Sequence, residues 1–170
     1  MDLTKFIRDV ADFPKPGIVF KDITPLLLDA KALRFSITKM ANEVADLDVT
    51  KVAGIESRGF IFGTAIAREL GVGFIPIRKP GKLPWRTSRI EYDLEYGSDA
   101  VEIHEDACGA DDQVLIVDDL LATGGTLEAS ISLVEGLGAN VIACSLVIEL
   151  AFLKGRDRLG NKRVETLVRY

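Results

Sequence analysis

The sequence predicts an α/β fold: a doubly wound, mainly parallel sheet flanked by helices. Three observations carry that expectation. From Lys51 onward, short apolar runs alternate with stretches of helical periodicity, the pattern of strand–helix–strand units. Val114-Leu115-Ile116-Val117 is a wholly apolar strand leading straight into Asp118-Asp119, and open parallel sheets place their ligands at the carboxyl ends of strands. Ala122-Thr123-Gly124-Gly125-Thr126 then turns tightly into a helix, where bare backbone N–H groups make a ready anion site. Acids beside an anion cradle suit a ligand bearing both hydroxyls and a phosphate.

The elements follow in order. Leu3, Phe6, Ile7 and Val10 fall at helical spacing, predicting a short amphipathic helix over residues 2–11. Pro14, Pro16 and Gly17 stop it and open an irregular loop. Asp29 reads as the N-cap of a helix running to about Leu47 and burying Leu33, Ile37, Met40 and Val44. Lys51–Ile55 is a short strand, Gly59–Leu70 a helix closed by Gly71, and Gly73–Ile77 the next strand. Residues 79–99 break the alternation with Pro80, Gly81, Pro84 and Gly97, and insertions of this length tend to be functional lids. Partial alternation there predicts a two-stranded ribbon whose far arm is residues 90–96, with Val101 and Ile103 continuing as strand. After the strand that ends in the paired acids come a helix over 127–137 capped by Gly138, a buried strand over 141–148 and a weaker one over 164–168.

Bulk properties narrow the function. At 170 residues, 48% hydrophobic and 28% charged, the chain fits one domain with a sizeable core, and no repeat, low-complexity tract or linker divides it. A net charge of −5 argues against broad nucleic-acid or membrane-surface binding, so any polyanion site must be a local basic cluster. The N-terminus carries charges throughout and no apolar run reaches the ~18 residues of a membrane span, while Cys108 and Cys144 read as small hydrophobes. A cytoplasmic protein is expected. His104 has no ligand-spaced partners and reads as an ordinary strand residue.

A basic cluster is present. Ser57-Arg58-Gly59 lies at a strand-to-helix turn, and Arg78, Lys79 and Lys82 put three cations into five residues at the end of the following strand. Adjacent crossings thus direct Arg58, Arg78, Lys79 and Lys82 to the sheet edge that carries the glycine turn, where a guanidinium can grip a diphosphate. The stretch 12–23 is aromatic and apolar beside prolines. Physics alone leaves it either a staple for the N-terminal helix or an edge that stacks on a flat heterocycle.

The strand–acid–turn run resembles the phosphoribosyl-pyrophosphate (PRPP) signature of the type I phosphoribosyltransferases. The acidic strand of a P-loop nucleotidase begins similarly but requires a G-x-x-x-x-G-K-[ST] loop, which this sequence lacks. Glu56-Ser57-Arg58-Gly59-Phe60, the 78–84 segment, Leu94-Glu95-Tyr96-Gly97 and Leu153-Lys154-Gly155-Arg156 follow in family order, and 12–23 is similar to the base-site segment of the adenine-using members. The resemblance runs from Asp12 to about Leu159. It implies transfer of the phosphoribosyl group of PRPP to adenine, giving AMP and pyrophosphate, with Mg²⁺ held through substrate and water and no direct protein ligand. Asp118 and Asp119 would take the ribose hydroxyls, and Ala122, Thr123, Gly124, Gly125 and Thr126 the 5-phosphate. Ser57, Arg58, Arg78, Lys79 and Lys82 would take the pyrophosphate. Val19 and Lys21 would meet adenine through their backbone, Phe20 by stacking and Leu150 from the opposite face. Glu95 would be the acid/base, with Tyr96 and Arg58 completing the catalytic set; without the resemblance, Glu95 reads more readily as an exposed strand residue. The resemblance further implies an N-terminal hood over 1–28, a lid over 79–99, a cis peptide between Glu56 and Ser57, and a homodimer. Competing expectations are a relative acting on hypoxanthine, guanine, xanthine or uracil, and a non-catalytic PRPP-sensing regulator, which the acidic balance disfavours.

Overall fold

The structure is a computed structural model that describes residues 1–93 and 98–170. After a 3-10 turn at Leu3–Phe6, β1 (Arg8–Ala11) and β2 (Val19–Asp22) pair antiparallel as a small hairpin. Helices α1 (Thr24–Leu28) and α2 (Ala30–Asn42) lead to β3 (Lys51–Ile55), α3 (Gly59–Leu70) and β4 (Gly73–Ile77). An antiparallel ribbon of β5 (Thr87–Asp93) and β6 (Ser98–His104) follows. The chain closes with β7 (Gln113–Leu121), α4 (Gly125–Gly136), β8 (Asn140–Glu149) and β9 (Arg163–Arg169).

The central sheet runs β4-β3-β7-β8-β9, with every neighbouring pair parallel. From β3 the chain moves outward to β4 and then returns on the other side of β3 with β7. The strand order therefore reverses between β3 and β7, which opens a crevice at their carboxyl ends. Both faces of the sheet are covered. Along β7 the pleat sends Val114 and Ile116 into one core with Leu133, Val134 and Ile103, and Leu115 and Val117 into the other with Met40, Phe62 and Ile66. That two-sided burial is why the strand reads as an unbroken apolar run, each fully buried side chain contributing roughly 1.5–3 kcal/mol.

The architecture is the expected one, and β3, α3 and β4 have the expected bounds, with Gly71 left-handed at the end of α3. Four expectations need correction. Residues 2–11 are not a helix: Leu3 and Ile7 are buried, but Arg8 and Lys21 reach across the hairpin to Asp22 and Asp9, and strand pairing overrides the local periodicity. Asp29 does cap α2, accepting from the N–H groups of Lys31 and Ala32, yet the helix stops at Asn42. Arg163 takes the carbonyl of Glu43 at 2.6 Å and the carboxylate of Asp46 at 2.7 Å, drawing that tail onto β9. The ribbon exists, but its arms are 87–93 and 98–104, and residues 94–96 of the expected far arm lie outside the described residues. Finally, β7 continues through the paired acids to Leu121, because β8 is long enough to pair with it as far as Glu149.

Candidate active site

The crevice at the β3–β7 switch holds a cavity of about 400 Å³. One wall is Ser57 and Arg58 from the turn after β3, with Lys79 from the segment after β4; the floor is Asp118 and Asp119 from β7, and the far wall is the loop from Ala122 to Thr126. Three separate strand ends thus deliver anions, cations and a glycine loop to one volume.

The loop owes its shape to two glycines that meet back to back. Gly124 caps α4 with φ +87°, and a Cβ there would stand 2.5 Å from the carbonyl oxygen of Gly155. A Cβ on Gly155 would lie 2.3 Å from the carbonyl oxygen of Ala122. Nothing larger fits at either position. The first intrahelical bond of α4 is Glu128 N–H to Gly124 C=O at 2.9 Å, so the N–H groups before it have no acceptor within the helix.

The two carboxylates are held under tension by their surroundings. Arg58 Nε sits 2.6 Å from Asp119 Oδ2, and Asp118 Oδ1 accepts the Asp119 N–H at 2.8 Å. Burial pushes both carboxyls above the usual range, and Asp118 the further, because the Asp119 charge adds to it. Lys79 is tied to Asp99, and it also donates to Tyr92 Oη at 3.2 Å. Burial is the largest single influence and opposes both charges, but their mutual hydrogen bond, further hydrogen bonds from Tyr92 and the Ala100 N–H, and the opposite charges together outweigh it, holding Lys79 above and Asp99 below their ordinary values. Tyr92 also accepts from Thr126 Oγ1 at 3.1 Å, so the end of the ribbon where β5 stops and β6 starts touches both the cation and the glycine loop.

The structure brings together Ser57, Arg58, Lys79, Asp118, Asp119 and the loop 122–126. Arg78 and Lys82 do not line the cavity. The Arg78 guanidinium forks onto both oxygens of Glu56 at 3.1 and 3.2 Å and donates to the Lys82 carbonyl, which holds the Glu56 carboxyl below its usual range. Glu56 and Ser57 are joined by a cis peptide, as the resemblance implies. Phe20 lies beside the cavity, with the Arg58 guanidinium carbon 5.2 Å from its ring centre and Phe13 edge-on at 5.2 Å. Val19 is exposed, and β2 belongs to a two-stranded hairpin, which leaves its second edge without a strand partner among the described residues. The Lys21 amine is committed to Asp9 at 2.6 Å and lies over the Tyr170 ring, so only its backbone faces a ligand role. Leu150 is half-buried and donates its N–H to Leu121 C=O at 2.9 Å, where β7 ends. Glu95 and Tyr96 lie outside the described residues. Among the described residues, no cluster of three or more His, Cys, Asp or Glu side chains could hold a metal ion.

Glu56, Tyr92 and Asp99 were not singled out in the sequence as site residues. Glu56 opens a family motif but is given no role of its own there, and Tyr92 and Asp99 stand in none; each acts through a partner on another element. The Asp at 99 opposite Tyr92 across the ribbon is the one signal that strand pairing could have exposed.

A family model of the phosphoribosyl transferase domain matches residues 26–167. An adenine phosphoribosyltransferase of Methylococcus capsulatus is 60% identical over 164 residues, which is 96% of each chain. The chain belongs to the adenine phosphoribosyltransferase family. Among solved structures, the family member from Thermoanaerobacter pseudethanolicus superposes with a TM-score of 0.97 at 50% identity, over 99% of this chain and 98% of that one. The Saccharomyces cerevisiae adenine phosphoribosyltransferase, complexed with an imino-altritol 1,6-bisphosphate and adenine, has a TM-score of 0.91 at 40% identity, over 98% and 96% of the two chains.

Proposed function

We propose that the chain joins adenine to PRPP, giving AMP and pyrophosphate, with the cavity at the β3–β7 switch as the site of transfer. The observation that carries this reading is the arrangement of its walls: paired carboxylates between a naked-amide loop on one side and Arg58 with Lys79 on the other. A sugar with hydroxyls in the middle and phosphates at both ends is the complement of that arrangement. The bisphosphate and adenine held by the yeast relative support it.

Each residue then has a task. The loop 122–126 anchors the 5-phosphate, and its binding energy aligns the reacting carbon. Asp118 and Asp119 accept hydrogen bonds from the ribose hydroxyls and place negative charge beside the ribosyl cation that develops as the C1–O bond breaks. Ser57, Arg58 and Lys79 bind the departing diphosphate; Lys82 joins them from the following loop, and Arg78 does so only by leaving Glu56 and the Lys82 carbonyl. Phe20 stacks on adenine, the backbones of Val19 and Lys21 pair with its edge, and Leu150 closes the other face. Glu95 takes the ring proton as the new C1–N bond forms, with Tyr96 shielding the site. Asp119 Oδ2, buried and without an aligned hydrogen-bond donor among the described residues, together with Asp118, fits a hydrated Mg²⁺ carried on substrate oxygens. An ion held there would supply positive charge to offset the negative charge gathering on the diphosphate.

The reading treats the chain as one domain, with residues 1–28 as hood and 79–99 as lid. It includes a homodimer, supported by apolar side chains left exposed, Leu28 at 80% and Trp85 at 53%, and checked by sedimentation of the intact chain. A cytoplasmic setting is supported by Cys108 and Cys144, both free thiols buried in the core. Among the described residues, no helix is long and apolar enough to cross a membrane. The deciding assay supplies PRPP, Mg²⁺ and an equimolar mixture of adenine, hypoxanthine, guanine, xanthine and uracil. AMP is the expected product; a different mononucleotide, or none, rejects the proposal.

A further inference from the structure

Behind the glycine loop lies an ion pair with a buried carboxylate and a half-buried guanidinium that transfer itself does not use. Glu149, the last residue of β8, is 3% exposed and receives the Arg156 guanidinium on both oxygens at 2.8 Å. The same guanidinium donates to the Val164 carbonyl at 2.8 Å and to Thr166 Oγ1 at 3.4 Å, and that hydroxyl donates to Glu149 at 3.2 Å. Arg156 holds the Glu149 carboxyl below its usual range. Arg156 therefore bolts the turn after β8 to both β8 and β9.

What that turn presents to the site is Gly155. Its Cα side faces the Ala122 carbonyl and the Gly124 N–H so closely that a Cβ would stand 2.3 and 3.1 Å from them. Arg158 extends the contact to α4 through Glu128 at 3.0 Å. The loop 122–126 cannot retreat without moving Gly155, and Gly155 cannot move without straining the Arg156 fork. A lysine could not reproduce this, because an ammonium cannot span a carboxylate and a carbonyl in one plane.

We infer that Arg156 and Glu149 are positioning residues for the ribose 5-phosphate loop, acting through Gly155. Neither touches substrate. The inference rests on the assignment of residues 122–126 to the 5-phosphate, and its test separates the two. Ribose 5-phosphate and inorganic pyrophosphate serve as probes, titrated calorimetrically against the full chain, with thermal unfolding recorded for each variant. Arg156→Lys and Gly155→Ala are expected to weaken ribose 5-phosphate at least tenfold and to leave pyrophosphate within twofold. Thr166→Val, which strips one bond from the fork without changing charge, gives a smaller loss in the same direction and keeps the test open if the first two do not fold. Unchanged ribose 5-phosphate affinity, or equal losses of both probes alongside a fall in Tm, overturns the positioning role. Thr126→Ala is the control: if it leaves ribose 5-phosphate binding intact, the loop assignment fails, and the positioning role falls with it.

Discussion

Strand β7 has an aspartate just before its start and a pair of them within its last four residues, and the two ends behave oppositely. Asp112, just before its start, is fully engaged: Lys51 Nζ lies 2.9 Å away, the Gly109 N–H donates at 3.0 Å and Thr50 Oγ1 at 3.1 Å. The Lys51 hydrogen bond holds its carboxyl below the usual range. At the other end, the half-buried Asp118 and buried Asp119 sit side by side with one guanidinium, on Asp119, to serve them, and burial pushes both carboxyls up. The same residue type at the two ends of a strand thus serves as a fastening where its partners are complete and, in the proposed reading, as a ligand site where they are not. Groups left short of partners in a crevice cost stability and gain use when substrate arrives.

Removing the waiting pair gives the largest effect. Asp118→Asn with Asp119→Asn is expected to lower kcat/KM for PRPP by about 10³-fold, since the ribose contacts proposed for them and the charge beside the developing cation would disappear. Tm should hold or rise, because two buried charges that repel one another are gone. Steady-state kinetics with scanning calorimetry checks both, and unchanged kinetics would refute the ribose role. Glu95→Gln extends the contrast to the lid: kcat should fall by about 10²-fold, the usual worth of a positioned acid/base, while PRPP affinity stays nearly constant. Equal catalysis in that variant removes Glu95 from the reaction. A third expectation concerns pH. Because both carboxyls titrate high, kcat/KM for PRPP should begin to fall on the acid side above the ordinary aspartate value of about 4. A profile flat down to pH 4 contradicts the raised pair.

How much of this was legible in the sequence follows the same division. The fastened parts read well. β3, α3 and β4 are bounded by local signals, and Asp29 is a cap that acts within three residues of itself. The signature strand and glycine turn read well because their chemistry is contiguous, so Asp118, Asp119 and residues 122–126 could be placed at one sheet edge. What was hidden depends on partners far along the chain. Arg8 and Lys21 find their acids across a hairpin, which turned an apparent helix into a strand. Arg78 reads as one more pyrophosphate cation until Glu56, 22 residues earlier, is seen to hold it. Tyr92 and Thr126 are 34 positions apart, and no periodicity announces their hydrogen bond.

The smallest effect tests the fastened end. Asp112→Asn should cost about 1 kcal/mol of stability at pH 7, the worth of one partly buried charged hydrogen bond, and leave kcat within twofold. The folded carboxyl titrates below its unfolded value, so its contribution is present above about pH 4 and disappears as pH falls through the lowered folded value. Wild type and Asp112→Asn should therefore converge in acid. The active-site pair has the reverse sign. Its folded values are raised, so the stability it contributes is present below about pH 4 and is lost as pH climbs through them. The advantage of Asp118→Asn with Asp119→Asn over wild type should accordingly be largest at neutral pH and vanish near pH 4. Urea unfolding of the three proteins between pH 3 and 8 separates the two ends of one strand by the direction in which each stability difference closes, and parallel curves would show that the contrast between them is wrong.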